Sequence, residues 1–529
     1  LVPGAQPCIV PWPGRSQRSV KNVRAEPTGR QRDEAEIAPH GVSRLIRIQA
    51  VKAFQEHEST RTGRRIADLA RQNPGDSGFS IIRYGRRALT ARVALADLAE
   101  KSLDVQYYIW EADATGRILA ERLVRAAERG VRVRVLVDDI NLAGRDARIA
   151  ALDAHPNIHI RLFNPFSNRR FRGLDFVTDL SRVNHRMHNK LMVMDNAIAI
   201  VGGRNVGAHY FEAHEESNFR DLDIAAIGPI VREISDVFDH FWNGRWSVPV
   251  ADIVDRPFEE QDHLTAIAAI REQIDADNYP FPLNIDLGEL LATLDEEISG
   301  TTWAKGRIVW DDPAAIYDGW RSGKINEALY QRMQNLRREL LIESAYFVPR
   351  QRGVEAAKRL TDRGVRLRVL TNSLAANDVL AAHAGYSKFR RALLEAGVEL
   401  YELRPDPGPI DKKLVSMESK AALHTKAIVF DREDVFIGSF NLDPRSASIN
   451  TEAGLYVESP EIARQVIEYM DDGVAPRNSY RVLVDEQRRL RWVTDVDGAG
   501  VDYSKDPKST WLQRSLTALI RVLPVDRQL

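Results

Sequence analysis

Apolar residues along the chain recur at two spacings, and the alternation between them outlines the fold. Leu103-Asp-Val-Gln-Tyr-Tyr-Ile-Trp110 is a β-rich run, and after it apolar positions follow helical spacing over 117–129. Gly130 closes that helix, and 131–137 alternates early and ends apolar, as a strand does. The same succession returns later: a β-rich run over 340–348, a helical pattern over 353–363, Gly364, and a strand over 365–370. A glycine that ends a helix directly before a β-rich run is the αβ half of a βαβ unit. Two copies of one pattern predict a duplicated α/β unit. Each copy is expected to form a mixed sheet flanked by helices, the two packed about a pseudo-twofold axis with one shared site.

The remaining segments set the expected boundaries. Residues 1–75, with Pro3, Pro7, Pro11 and Pro13 near the start, read as a partly disordered arm carrying a short helix over 43–55. The first α/β unit takes 76–250 and the second 304–480. Between them 251–303 reads as a helical connector, with helices over 263–275 and 287–299. The tail, 481–529, ends in an amphipathic segment. Trp511, Leu512, Leu516, Leu519 and Leu523 share one helical face there, near Arg514 and Arg521. That face suits a bilayer interface or a dock on the protein's own core.

Composition narrows the function classes. The 529 residues carry 74 Lys plus Arg against 75 Asp plus Glu, a formal net charge of -1, which argues against a basic coat for nucleic acid and leaves local patches open. The single cysteine, Cys8, excludes an internal disulfide framework and a cysteine-rich zinc site. No HExxH pattern or other convincing metal-ligand set appears. No run approaches the roughly 18 apolar residues of a spanning helix, which leaves peripheral attachment to a membrane open.

Chemistry concentrates at one point in each copy. The first reads His188-Asn-Lys190-Leu-Met-Val-Met-Asp195, then Gly202-Gly-Arg-Asn205; the second reads His424-Thr-Lys426-Ala-Ile-Val-Phe-Asp431, then Gly438-Ser-Phe-Asn441. Each His stands 17 positions before its Asn, and the histidines lie 58 and 60 residues after the helix-closing glycines. On a strand, His and Lys two apart face the same way. Two halves together offer paired imidazoles, ammoniums and carboxamides. Lys190, Lys426, Asn205 and Asn441 can hold the non-bridging oxygens of a phosphodiester. His188 and His424 can then act on opposite sides of phosphorus, one attacking and one protonating the leaving oxygen. A nucleophilic imidazole also needs an acceptor on its other nitrogen. Glu452 supplies one, and aligning Gly228-Pro229 with Ser459-Pro460 puts Asp221 at the matching place. Asp195 and Asp431, an odd number of steps from the lysines, are expected to serve structural hydrogen bonds.

The two motifs resemble the HKD motifs of the phospholipase D superfamily. The similarity extends to Gln106-Tyr-Tyr-Ile-Trp110, Phe163-Asn-Pro-Phe166, Phe219-Arg-Asp-Leu-Asp223, Tyr346-Phe-Val-Pro349, His383-Ala-Gly-Tyr386 and Asn441-Leu-Asp-Pro-Arg-Ser446. These look like the bacterial cardiolipin synthase C type, from about residue 78 onward. The resemblance implies a two-step phosphatidyl transfer through a phosphohistidine, without metal or cofactor, at the periphery of the bacterial cytoplasmic membrane. It implies phosphatidylglycerol as acceptor, with another phospholipid such as phosphatidylethanolamine as donor. It makes His188 the nucleophile and His424 the acid and base, a choice the near-symmetric halves do not themselves decide.

Four further residues are candidate substrate contacts: His383 and Tyr386 at an entrance, and Arg204 and Ser439 at the turns after the motifs. Bland alternatives stand beside them, a helix-packing turn for the first pair and an acid partner for Arg204. His185 is a phosphate contact or a surface residue. Arg169, Arg170, Arg172, Arg182 and Arg186 form a basic cluster that either meets anionic headgroups or is a solvated helix face. The rival functions are the same site using water, as a phospholipase D or other phosphodiesterase, and a catalytically silent lipid-binding scaffold.

Overall fold

The computed structural model describes residues 50–277, 286–316, 323–406 and 419–522. Cys8, most of the arm and Leu523 lie outside them. The first half contributes β1 (Ser77–Ile82), β2 (Ser102–Tyr107), β3 (Arg132–Asp138), β4 (Ile158–Phe163), β5 (Leu191–Met194), β6 (Ile198–Gly202), β7 (Ser217–Arg220), β8 (Asp223–Ile227) and β9 (Ser247–Pro249). The second contributes β10 (Thr302–Trp310), β11 (Glu339–Ser344), β12 (Arg366–Asn372), β13 (Glu399–Leu403), β14 (Lys420–Leu423), β15 (Lys426–Phe430), β16 (Asp434–Gly438), β17 (Ala453–Glu458) and β18 (Ser479–Val484). A terminal hairpin of β19 (Leu490–Val496) and β20 (Ala499–Tyr503) follows.

Strand pairing makes the duplication explicit. In the first half the order is β9-β4-β3-β2-β5-β6-β8-β1, with β2, β3 and β4 parallel and the other pairs antiparallel. In the second it is β10-β17-β16-β15-β11-β12-β13-β18, again with three parallel strands. The halves join where β1 meets β10 antiparallel, giving one continuous 18-stranded sheet once β19 and β20 are added.

The apolar runs after the motif lysines explain why the halves stay together. Side chains alternate across a strand, so Leu191 and Val193 face a core shared with Ala427 and Val429 of the other half. Met192 and Met194 turn instead into the first half's own core, and Ile428 and Phe430 into the second's. A strand buried on both faces must be apolar throughout, as these are.

Asp195 and Asp431 sit in the tight turns after β5 and β15, both in left-handed backbone conformation at φ 52° and 53°. The Asp195 carboxylate accepts the backbone N–H groups of Glu100, Lys101 and Ser102 at 2.9, 2.8 and 2.7 Å, fixing the entry to β2. Asp431 does the same for Arg337, Arg338 and Glu339 at the entry to β11. Asp195→Ala is therefore expected to cost about 2–4 kcal/mol of stability, since three amides lose their acceptor. Urea denaturation would read the loss, with turnover per folded molecule retained.

The helix expected over 43–55 needs correcting in its described part, residues 43–49 lying outside the described residues. Residues 50–56 are not helical; Val51 and Ala53 donate their backbone N–H groups to Asn243 and Asp239. A helix instead occupies Arg61–Gln72, capped by Thr60 and burying Ile66 against the first core. In the connector, helices span Glu260–Ala276 and Leu287–Ser299. The final helix, Trp511–Val522, buries Thr517 and leaves Trp511, Leu512, Leu516 and Leu519 exposed, so its apolar face is not docked on the core.

Candidate active site

The backbone immediately before each motif pairs with the opposite half. The β14 strand, leading into His424, lies parallel to β7, which leads into Asp221. Met187, ahead of His188, bridges Thr451, ahead of Glu452. His188 donates its backbone N–H to the Thr451 carbonyl at 2.8 Å, and His424 donates to that of Arg220 at 2.8 Å. These crossings carry each carboxylate to the other half's histidine. The Nδ1 of His188 lies 2.7 Å from Glu452 Oε2, and that of His424 lies 2.6 Å from Asp221 Oδ2. The β6–β8 and β16–β17 registers, Gly202 opposite Asp223 and Gly438 opposite Gly454, put Asp221 and Glu452 at equivalent positions.

All four groups are buried. Hydrogen bonding of Nδ1–H to a carboxylate fixes the tautomer that leaves the Nε2 lone pair free. Aromatic rings hold the imidazoles edgewise: Tyr108 against His188 at 4.8 Å, and Tyr210 against His424 at 5.0 Å between centroids. Lys190 and Lys426 fold back so that each ammonium donates to the carbonyl of its own histidine. Asn205 accepts from the Ile109 N–H at 3.2 Å and donates to the Tyr210 hydroxyl at 2.9 Å. Asn441 keeps a buried carboxamide oxygen with no partner.

Burial dominates the electrostatics. It lowers the His188 pKa to about 4; Glu452 opposes the shift, and Lys190 and Lys426 add to it. His424 is held well below its ordinary value, first by burial, then by Lys426, Lys190 and His188, so the two histidines feel each other. Burial also depresses Lys190 strongly and Lys426 to about 8. For Glu452 burial acts upward, but His188, Lys190 and the Ser439 hydroxyl outweigh it and keep the carboxylate ionised. Neutral imidazoles beside two buried lysines whose pKa values burial depresses favour an incoming anion.

The depressed histidines also give a stability prediction. Their folded pKa lies below the unfolded value near 6.5, so the unfolded chain binds more protons as pH falls. Stability should be fully present above about pH 6.5 and decline toward pH 4, the window set by His188. Melting curves across that range, compared with His188→Gln, would show the slope and its reduction in the variant.

Several candidate contacts belong elsewhere. Arg204 is fully buried, paired with Asp223 and donating to the carbonyls of Ile82, Arg83, Tyr210 and Asp221; it builds the turn rather than meeting a headgroup. The Ser439 hydroxyl donates to Glu452, orienting the carboxylate. At the matching Gly203, a Cβ would collide with Asp221, so glycine is required where the shorter acid comes closer. His383 and Tyr386 lie inside the helix Leu380–Glu395, not at an entrance. His383 meets Arg390 and Asp506, and the Tyr386 hydroxyl donates to Glu402 at 3.0 Å. His185 approaches the Ile449 carbonyl through Nδ1 at 2.6 Å. The basic cluster is largely ion-paired: Arg169 with Asp139 and Asp146, Arg172 with Asp139, Arg182 with Asp179, and Arg186 with Asp138.

Sequence reasoning missed Tyr108, Tyr210 and Asp311, whose carboxylate accepts the Glu452 N–H at 3.2 Å and is raised to about 8 by burial. Tyr108 stands inside the quoted Gln106–Trp110 run, so its position was visible though its contact was not. Asp311 had no spacing to reveal it.

Comparison with known proteins follows the same lines. The family model for "Cardiolipin synthase, PLD-like domain" matches residues 93–242 and 329–473, one stretch in each half. The chain is similar to cardiolipin synthase C of Escherichia coli (strain K12), 39% identical over 465 residues, across 87% of this chain and 98% of that protein. Cardiolipin synthase B of the same strain is 24% identical over 413 residues, 78% of this chain and 79% of that one. In fold, the chain resembles the crystal structure of phosphatidylserine synthase from Haemophilus influenzae Rd KW20, with a TM-score of 0.55 at 14% identity, covering 88% of this chain and 99% of that one.

Proposed function

Because the chain belongs to the cardiolipin synthase family of phospholipase D-like proteins, we propose that it transfers a phosphatidyl group from one phospholipid to a hydroxyl of phosphatidylglycerol, making cardiolipin. The observation that carries this reading is the pair of buried histidines, each with its Nδ1 on a carboxylate from the opposite half.

In the first step His188 Nε2 attacks phosphorus, forming a P–N bond as the P–O bond to the departing alcohol breaks. His424 Nε2 gives that alcohol a proton. In the second step His424 takes the proton from the acceptor hydroxyl, the new P–O bond forms, and the P–N bond to His188 breaks. Glu452 balances the charge that develops on His188, and Asp221 that on His424. Lys190, Lys426, Asn205 and Asn441 hold the non-bridging oxygens, and the bound anion raises the depressed histidine and lysine pKa values toward their charged forms. The reaction takes place at the periphery of a bacterial cytoplasmic membrane; among the described residues no helix is long and apolar enough to cross one.

The test is lipid mass spectrometry after incubating the purified protein, without added metal, with phosphatidylglycerol vesicles, with and without phosphatidylethanolamine. Cardiolipin is the expected product, absent with His188→Ala, and the dependence on phosphatidylethanolamine identifies the donor. Phosphatidic acid alone would replace transfer by hydrolysis, and no turnover with vesicle binding intact would favour a silent scaffold.

A further inference from the structure

The segment between the basic cluster and the first motif exposes apolar side chains in a density that solvent does not explain. Phe171, Leu174, Phe176, Val177 and Leu180 are 73%, 51%, 43%, 82% and 46% exposed. Single exposed apolar residues are ordinary, but five large ones within ten positions form a patch of the kind that marks an interaction site.

The patch is held out rather than left loose. Its short helical turns, Arg172–Leu174, Asp175–Thr178 and Leu180–Val183, are too brief to stand alone. Both ends are tied to the body: Arg169 and Arg172 pair with Asp139, and Arg182, just past the patch, donates to the Pro165 carbonyl. The Asp175 carboxylate accepts the Ser167 N–H at 2.6 Å. The arginines thus serve as a frame that directs the apolar side chains outward.

The patch also connects to the reaction site through packing: Phe176 lies against Phe166 at 5.6 Å between ring centroids, and Arg186, two residues before His188, stacks over Phe166 at 5.0 Å. The patch's C-terminal end runs into Asn184, which Arg445 of the second half holds at 2.9 Å, and His188 follows four residues later. A bilayer is the occupant that fits an apolar patch connected to a site for phospholipid, because it brings acyl chains to the patch and headgroups toward the motif.

We propose that residues 171–180 are the surface by which the protein seats on a phospholipid bilayer, inserting these side chains among the acyl chains. The inference rests on the reading of the substrate as a phospholipid, and its experiment is separable from that reading. Full-length protein is sedimented with phosphatidylglycerol–phosphatidylethanolamine vesicles, and the variant carries both Phe171→Asp and Val177→Asp. Each change places a charge where an apolar group would enter the interface, so partitioning is expected to fall about tenfold or more. The melting temperature should not move, because both side chains are solvent-exposed. Turnover of a short-chain phosphatidylglycerol kept monomeric in solution should also stay at the wild-type level.

Unchanged sedimentation of the double variant would overturn the proposal. So would loss of binding from Leu519→Asp on the terminal helix while the double variant still binds. Loss of self-association with vesicle binding intact would assign the patch to contacts between copies instead. If the wild type binds vesicles through this patch yet makes no cardiolipin, the docking surface stands and the catalytic reading falls.

Discussion

Replacing His188 with alanine is expected to lower cardiolipin formation by about 10⁴-fold or more, the scale on which loss of a covalent nucleophile acts. His424→Ala should fall comparably with natural lipids, so the overall rate does not tell the two apart. A p-nitrophenyl phosphodiester does. Its leaving group departs without a proton, and the first step no longer needs a general acid. His424→Ala should release one equivalent of p-nitrophenol per site in a burst and accumulate the phosphorylated protein, while His188→Ala releases none. A burst from His188→Ala and none from His424→Ala would exchange the two roles.

Glu452→Gln should be the next most damaging change, at about 10³–10⁴-fold in the rate of phosphohistidine formation. An amide neither compensates the developing imidazolium nor enforces the Nδ1–H tautomer. The glutamine keeps the length and can still accept the Ser439 hydroxyl, so folding should survive and the melting temperature should stay close to that of the wild type. Asp221→Asn acts on His424 instead and is expected to slow both steps with natural lipids, but to spare the burst with the p-nitrophenyl ester. Equal loss of the burst in the two variants would contradict the division of labour between the histidines.

Much of this site is legible in the sequence because strand geometry is local. His188 and Lys190, two apart before an apolar run, can be placed from spacing alone, and Asn205 follows from the hairpin between β5 and β6. The identity of Glu452 and Asp221 as acceptors also follows from aligning the halves. Which histidine each acid serves does not, because that depends on β14 lying beside β7 and on Thr451 bridging Met187, contacts between segments some 200 or more residues apart. Of the two readings of Arg204, headgroup contact or acid partner, the structure bears out the second: it is consumed by Asp223 and four carbonyls. The basic cluster misleads because most of its acidic partners, Asp138, Asp139 and Asp146, sit elsewhere in the chain. Helix Arg61–Gln72 escaped because its apolar face is narrow and much of its length is charged.

The exchange of carboxylates between halves bears on how such a chain diverges. A half released from its partner would retain a histidine and a lysine but surrender the acid that makes the histidine useful. Neither half is a smaller working version of the whole, because each histidine's carboxylate comes from the other. A change in the second half's acid is felt first at the first half's histidine. Equivalent positions carry unlike solutions, a longer acid steadied by Ser439 on one side and a shorter one admitted by Gly203 on the other. A substitution at position 452 would therefore be read out at His188, and one at position 221 at His424, each on the far side of the duplication.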